Sequence, residues 1–294
     1  MHDIACIITS KDEINNNKVK FFVEKMKSQN VKVLKITKLG KTGFELIINK
    51  NPDKFNRKYF NFLKLDINFL SIENYLKRKL LLFSDLDSTV ISSESIDQLS
   101  KYCGLEKQMS EITNLTMEGK IDFDKSIKER VRLLKGLHIS ELYECYKKNI
   151  FLNPGAQTLF KTMKSNGKLT VLVSGGFSFF ANKIGKILDV DNVFSNELDF
   201  KNRKLTGKLK GEIINGQTKF EIMKYLCKKK NISFSEVISV GDGSNDVEII
   251  KNAGIGVAFK GKEILKSVTD LSLEYSDISA LLYIQGFKER DFIL

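Results

Sequence analysis

The sequence predicts an α/β protein: a doubly wound parallel sheet with an inserted helical cap, preceded by a small α+β domain. Three observations carry this expectation. Residues 79–83 (Lys-Leu-Leu-Leu-Phe) form a nearly continuous apolar run of the kind buried on both faces of a parallel sheet. Further apolar runs at 169–173, 237–240 and 255–258 alternate with helical patterns. Residues 96–150 are helical in pattern, with few turn signals until Asn153-Pro154-Gly155 breaks them.

The elements follow in order. Residues 3–9 read as a short buried strand, and Val19, Phe22, Val23 and Met26 recur at helical spacing within 16–29. Residues 31–37 alternate like a strand, Gly40 and Gly43 mark a turn, and 44–48 read as the next strand. A polar helix around 52–64 and a strand at 67–73 complete a βαββαβ order, which suggests a ferredoxin-like unit. The character changes near Leu76, so the expected division is 1–76 and 77–294, with the cap at about 95–150.

With 294 residues, 42% hydrophobic, the chain can bury one large core or two domains. The formal charge of +12 admits nucleic acid or an anionic surface as partner. The lysines are scattered, however, and Lys77-Arg78-Lys79 and Lys228-Lys229-Lys230 lack the length and interleaved aromatics of a binding strip. No nucleic-acid partner is expected. The four cysteines are far apart, which argues against a zinc site or a disulfide framework and fits a reducing compartment. No apolar run approaches the ~18 residues of a membrane span, and no signal pattern opens the chain. The expected setting is cytoplasmic, without a membrane partner.

Three strand ends carry chemistry. Asp85-Leu86-Asp87-Ser88-Thr89 follows the first strand, where parallel sheets bind ligands. Two acids so spaced can share a site, although an Asx turn capping a helix uses the same residues. Ser174-Gly175-Gly176-Phe177 follows the second strand and reads as a helix start able to cradle phosphate, or simply as a turn. Gly241-Asp242-Gly243-Ser244-Asn245-Asp246 follows the third and offers oxygen ligands for a hard cation. An EF-hand is excluded, because its glycine and glutamate positions hold Val247 and Ala253. A dinucleotide loop is also poor: Phe259 stands where the third glycine after Gly254 and Gly256 belongs. Lys219 is an ordinary surface lysine by itself. In company with Asp-x-Asp, Ser and Asp-Asp, it completes a set that a doubly wound sheet can gather in one crevice.

From about Leu80 to about Gly286 the sequence resembles the haloacid dehalogenase superfamily, and within it the phosphoserine phosphatases. The four-part signature is Asp85-Leu-Asp87-Ser-Thr89, Ser174-Gly-Gly-Phe, Lys219 in Gly-Gln-Thr-Lys, and Gly241-Asp-Gly-Ser-Asn-Asp246. The subfamily likeness lies in Glu94 of Glu-Ser-Ile-Asp, in Met117-Glu-Gly-Lys-Ile-Asp-Phe123 and in Arg130 of Glu-Arg-Val-Arg-Leu-Leu-Lys-Gly. Ser95 stands where that family often has cysteine, and the first 75 residues match no family motif.

The resemblance implies hydrolysis of L-phosphoserine, a small-molecule substrate, with Mg2+ as cofactor. It implies Asp85 as nucleophile and Asp87 as general acid and base. Lys219 and Ser174 are implied to hold the phosphoryl oxygens. It assigns the metal to Asp85, the Asp87 carbonyl and Asp242, with Asp246 orienting these groups or standing as an outer support. It gives substrate contacts to Glu94, Arg130, Ser174, Gly175, Met117, Phe123 and Asn245. Alternatives from the same reading are a phosphatase or phosphotransferase for another small ester, and a non-catalytic binding module. The first 76 residues are expected to serve packing or assembly, a homodimer included, ahead of regulation by serine.

Overall fold

The structure, a computed structural model, describes residues 3–52, 57–117 and 120–294; the side chains of residues 57–59 and of Met117 are outside the description. The N-terminal unit runs β1 (Ile4–Thr9), α1 (Asn16–Lys27), β2 (Val33–Gly40), β3 (Gly43–Ile48), a 3-10 turn (Arg57–Leu63), β4 (Asp66–Ser71) and α2 (Ile72–Leu76). Its sheet is antiparallel in the order β2-β3-β1-β4, which is consistent with the ferredoxin-like expectation. Two elements differ from the sequence reading. The expected helix at 52–64 is a 3-10 turn, with residues 53–56 outside the description, and the strand read to 73 gives way at Ser71, whose hydroxyl caps α2.

The larger unit begins with β5 (Leu81–Ser84). Leu81, Leu82 and Phe83 are fully buried, each worth about 1.5–3 kcal/mol in removed apolar surface. The cap follows as α3 (Ser95–Tyr102), α4 (Glu106–Met117), α5 (Phe123–Leu133) and α6 (Ile139–Asn149). The chain then returns through α7 (Ala156–Ser165), β6 (Leu169–Phe177), α8 (Ser178–Ile187), β7 (Asn192–Lys201), β8 (Lys204–Lys210) and α9 (Gly216–Lys230). It closes with β9 (Val237–Gly241), α10 (Val247–Asn252), β10 (Ile255–Phe259), α11 (Glu263–Lys266), β11 (Ser272–Leu273) and α12 (Ala280–Ile284).

The seven strands lie in the order β11-β10-β9-β5-β6-β7-β8. All pair in parallel except β7 with β8. Strand β5 sits between β6 and β9, so the order reverses there and opens a crevice at the carboxyl ends. The β7–β8 hairpin was not legible in the sequence, because both strands are half exposed and mixed in polarity. It braces the cap: Gly136 N–H donates to Leu205 O, and Leu205 N–H to Leu137 O, both at 2.8 Å.

The two units share one apolar cluster that includes Ala5, Ile7, Leu39, Leu70 and Tyr75 beside Leu82, Leu281, Tyr283 and Phe287. Their edges are also hydrogen-bonded. The Asn68 amide donates to Ser272 O and accepts from Ser272 N–H at 3.0 and 2.8 Å, imitating a strand partner. Buried Asp66 accepts from the N–H groups of Glu274, Tyr275 and Ser276.

Candidate active site

Strand β5 delivers Asp85 to the crevice floor, and Asp85 N–H continues the ladder to Val240 O at 2.9 Å. Beyond it the chain turns sharply: Leu86 O accepts from Thr89, Val90 and Ile91, while Ser88 takes a left-handed conformation with φ 56°. That turn brings Asp87 back over the strand ends. Asp87 Oδ1 accepts from Ser95 N–H at 2.6 Å, and Oδ2 accepts from Ser174 Oγ at 2.8 Å.

The second motif is not a helix start. Residues 174–177 still belong to β6, with a bulge against β7 between Ser174 and Phe177, and α8 begins only at Ser178. The bulge lets Ser174 Oγ accept from Gly176 N–H at 2.8 Å while it donates to Asp87. Gly175 and Gly176 serve close approach. A carbon on Gly176 would stand 2.5 Å from Asp87 Oδ2, and one on Gly175 would stand 3.0 Å from the Phe123 ring.

Helix α9 supplies Lys219. Its cap residue Asn215 accepts from Thr218 N–H at 3.0 Å and donates to Asp124 of cap helix α5 at 2.9 Å. One turn further in, fully buried Lys219 reaches Asp85 Oδ1 at 2.5 Å and Asp246 Oδ1 at 2.7 Å. Burial alone would lower its pKa; Asp246 and Asp85 more than offset this and raise it above the ordinary lysine value. The other oxygen of Asp246 accepts from Asp242 N–H and Gly243 N–H, so both of its oxygens are engaged by the protein.

Asp85, Asp242 and Asp246 each offer an oxygen within 4.8 Å of the others. This buried group is short of positive charge. Burial pushes Asp85 well above the carboxylate range; Lys219 opposes this, and Asp246, Asp87 and Asp242 add to it. Asp242 is pushed up to about 6 by burial and then by Asp246. A buried carboxylate set of this kind fits a hard divalent cation with oxygen ligands.

The cap covers a cavity of about 270 Å³, near the lower end for small-molecule sites. Asp85, Asp87, Asp242, Gly175 and Asn245 line it from the sheet side, and Glu94, Phe123 and Arg130 line it from the cap side. The Glu94 carboxylate accepts from Ser88 Oγ at 2.8 Å and is raised to about 7, by burial first and then by Asp87. Arg130 Nε is buried without a hydrogen-bond partner among the described residues, and burial lowers its pKa against the pull of Asp97 and Glu94. The sequence-predicted residues Asp85, Asp87, Glu94, Phe123, Arg130, Ser174, Gly175, Lys219, Asp242, Asn245 and Asp246 thus meet in one place, while the Met117 side chain lies outside the described residues. Sequence reasoning missed Asp97 and Lys262, which also line the cavity. Asp97 lies in the first turn of α3, three residues beyond its cap residue Glu94, and Lys262 follows β10 as the motifs follow their strands.

The family model of haloacid dehalogenase-like hydrolases matches residues 82–251, more than half of the chain. The protein belongs to that family of hydrolases, and within it is a phosphatase. It is 39% identical over 206 residues to a phosphoserine phosphatase of Methanocaldococcus jannaschii, covering 70% of this chain and 97% of the relative. It is 40% identical over 219 residues to a phosphoserine phosphatase of Archaeoglobus fulgidus, covering 74% of this chain and 63% of that longer protein. A solved family hydrolase from Salmonella enterica superposes with a TM-score of 0.83 at 23% identity, covering 96% of this chain and 98% of that one. That likeness extends the shared fold to the N-terminal unit.

Proposed function

We propose that the protein hydrolyses L-phosphoserine to L-serine and phosphate, with Mg2+ as cofactor and a phosphoryl group carried transiently on Asp85. The observation that carries the reading is the set of opposite charges around one small cavity: Glu94 and Arg130 on the cap side, and Asp85 at the floor with Lys219 buried behind it. Relatives that cover most of their length with this chain act on phosphoserine, which supports the substrate. Glu94 suits the serine ammonium, and the planar Arg130 guanidinium suits its carboxylate in two-point contact.

In the first step an Asp85 oxygen attacks phosphorus and the bond to the serine oxygen breaks. Asp87 gives that oxygen its proton. In the second step water attacks the same phosphorus, Asp87 takes the water's proton, and the bond to Asp85 breaks to release phosphate. The hydrogen bonds from Ser95 N–H and Ser174 Oγ hold Asp87 in place for both transfers. Lys219 keeps Asp85 oriented and offsets charge on the phosphoryl oxygens, with Ser174 and Asn245 beside it. Asp85, the Asp87 carbonyl and Asp242 would hold the cation, with Asp246 supporting them through Lys219 and backbone N–H groups. The ion's contribution is to let a phosphate dianion approach a cluster of carboxylates. Phe123, against Gly175, closes the apolar wall that excludes water. We also propose residues 1–76 as a unit distinct from 77–294 and, on cysteine spacing, a cytoplasmic setting.

The test is phosphate release from L-phosphoserine with Mg2+, beside sugar phosphates, nucleotides and phosphothreonine, with Asp85→Asn as blank. Selective release from phosphoserine, abolished in the blank and by chelator, is expected. Release from other esters but not phosphoserine would overturn the roles of Glu94 and Arg130 and leave the Asp85 chemistry standing.

A further inference from the structure

Five carboxylates line the cavity (Asp85, Asp87, Glu94, Asp97 and Asp242) against two cations, Arg130 and Lys262. Lys219 stands behind Asp85 and is committed to Asp85 and Asp246. Arg130 belongs to the cap. On the sheet side, beside Asp242 and Asn245, the lining cation is Lys262.

Its position is built by the fold. Lys262 follows β10 in the crevice order, and its N–H donates to Asp242 O at 2.8 Å, tying its backbone to the carboxylate loop. Its carbonyl is engaged in turn by Leu265 N–H at 2.9 Å. The ammonium hangs over Gly243: a carbon on Gly243 would sit 3.8 Å from Lys262 Nζ and 2.8 Å from Asn245 Oδ1. Lys262 forms no ion pair with any described residue, although its charge draws down the carboxyls of Glu94, Asp97 and Asp242. An exposed lysine with a fixed backbone, aimed at a cavity rich in carboxylates yet bonded to none, is placed to meet an anion that enters the cavity.

We propose that Lys262 is a substrate-binding residue whose ammonium meets the phosphoryl oxygens of the entering ester above Gly243. It acts on ground-state binding and association rather than on bond breaking, because it stands on the open side of the site and Lys219 on the closed side. The inference rests on the phosphate-ester reading above and deepens it.

The test compares Lys262→Ala and Lys262→Arg with the parent at saturating Mg2+. It uses L-phosphoserine, p-nitrophenyl phosphate and inhibition by inorganic phosphate. Lys262→Ala should raise both KM values and the phosphate inhibition constant together, by about five- to twentyfold, with kcat within about threefold. Lys262→Arg should recover most of the loss. The fall of kcat/KM with added salt should be shallower in Lys262→Ala than in the parent. Unchanged KM values and phosphate inhibition would overturn the proposal, as would a fall in kcat alone. A rise confined to phosphoserine would mean that Lys262 reads the amino-acid end, and would overturn the phosphoryl assignment. If the parent hydrolyses p-nitrophenyl phosphate but not phosphoserine, the substrate reading fails while the Lys262 comparison still stands. Direct calorimetry of inorganic phosphate binding, unchanged in Lys262→Ala, would overturn the proposal whatever the ester.

Discussion

Gly176 leaves no room for a side chain, since its missing carbon would fall against Asp87 Oδ2, Ser174 Oγ and Ser95 Oγ within 3.1 Å. Gly176→Ala should therefore displace Asp87 and lower kcat by about 100-fold, with a melting temperature close to the parent's. An active Gly176→Ala enzyme would show that Asp87 does not need its present position. Glu94 makes a prediction of opposite kind. Its carboxyl is raised from 4.5 to about 7 by burial and by Asp87, so the folded state holds a proton that the unfolded chain releases. Between those pH values the folded chain binds more protons, and the stability this group contributes falls as pH rises. Glu94→Gln should thus match the parent near pH 4.5 and exceed it by about 1–3 kcal/mol at pH 8 in denaturant titrations. Substrate binding should show the other face of the same shift. An ammonium needs the ionised carboxylate, so KM for phosphoserine should fall as pH rises through about 7, and Glu94→Gln should flatten that dependence. Equal pH profiles in the two proteins would remove Glu94 from substrate binding.

The hairpin β7–β8 acts as a brace for the cap. Leu205 is buried in the main cluster and its backbone pairs with the loop between α5 and α6. Leu205→Ala should cost about 2–5 kcal/mol by leaving a cavity. Because the brace bears on the loop that ends α5, which carries Arg130, the variant should also raise KM for phosphoserine more than for p-nitrophenyl phosphate. A purely global loss of stability would leave the ratio of the two KM values unchanged.

Across the molecule, the N-terminal unit is sealed to the larger one by polar contacts as well as apolar surface. Asp66 has a raised pKa from burial, partly offset by the N–H groups of Glu274, Ser276 and Tyr275. Ser276 Oγ adds a bond to Thr9 Oγ1 at 2.7 Å. Asp66→Ala strands the buried N–H of Ser276 and the half-buried N–H groups of Glu274 and Tyr275, and should cost about 2–4 kcal/mol, with unfolding still a single transition by circular dichroism and calorimetry. Two separated transitions in the parent would show that the units fold independently.

The candidate site was legible in sequence order because parallel strands deliver their carboxyl ends to one edge, whatever packs around them. An apolar run followed by Asp85, Ser174 or Asp242 already places each residue at that edge. The sequence also marked the cap, whose helical periodicity stands without a strand signal from 96 to 150. It could not reveal what depends on approach through space. Ser174 appears in the sequence as the start of a phosphate-cradling turn. Only the fold turns it into the partner of Asp87, through a bulge set by its pairing with β7. Lys219 reads as a surface lysine until α9 packs it between two carboxylates. The β7–β8 brace carries no local signal of its own, and the spacing of Asp97 from Glu94 and of Lys262 from β10 is too weak a signal to single either residue out. Their places come from the order of strands and the closure of the cap, which depend on contacts between residues far apart in the chain. Backbone periodicity is written locally, whereas charge neutralisation and cavity shape are properties of the packed whole.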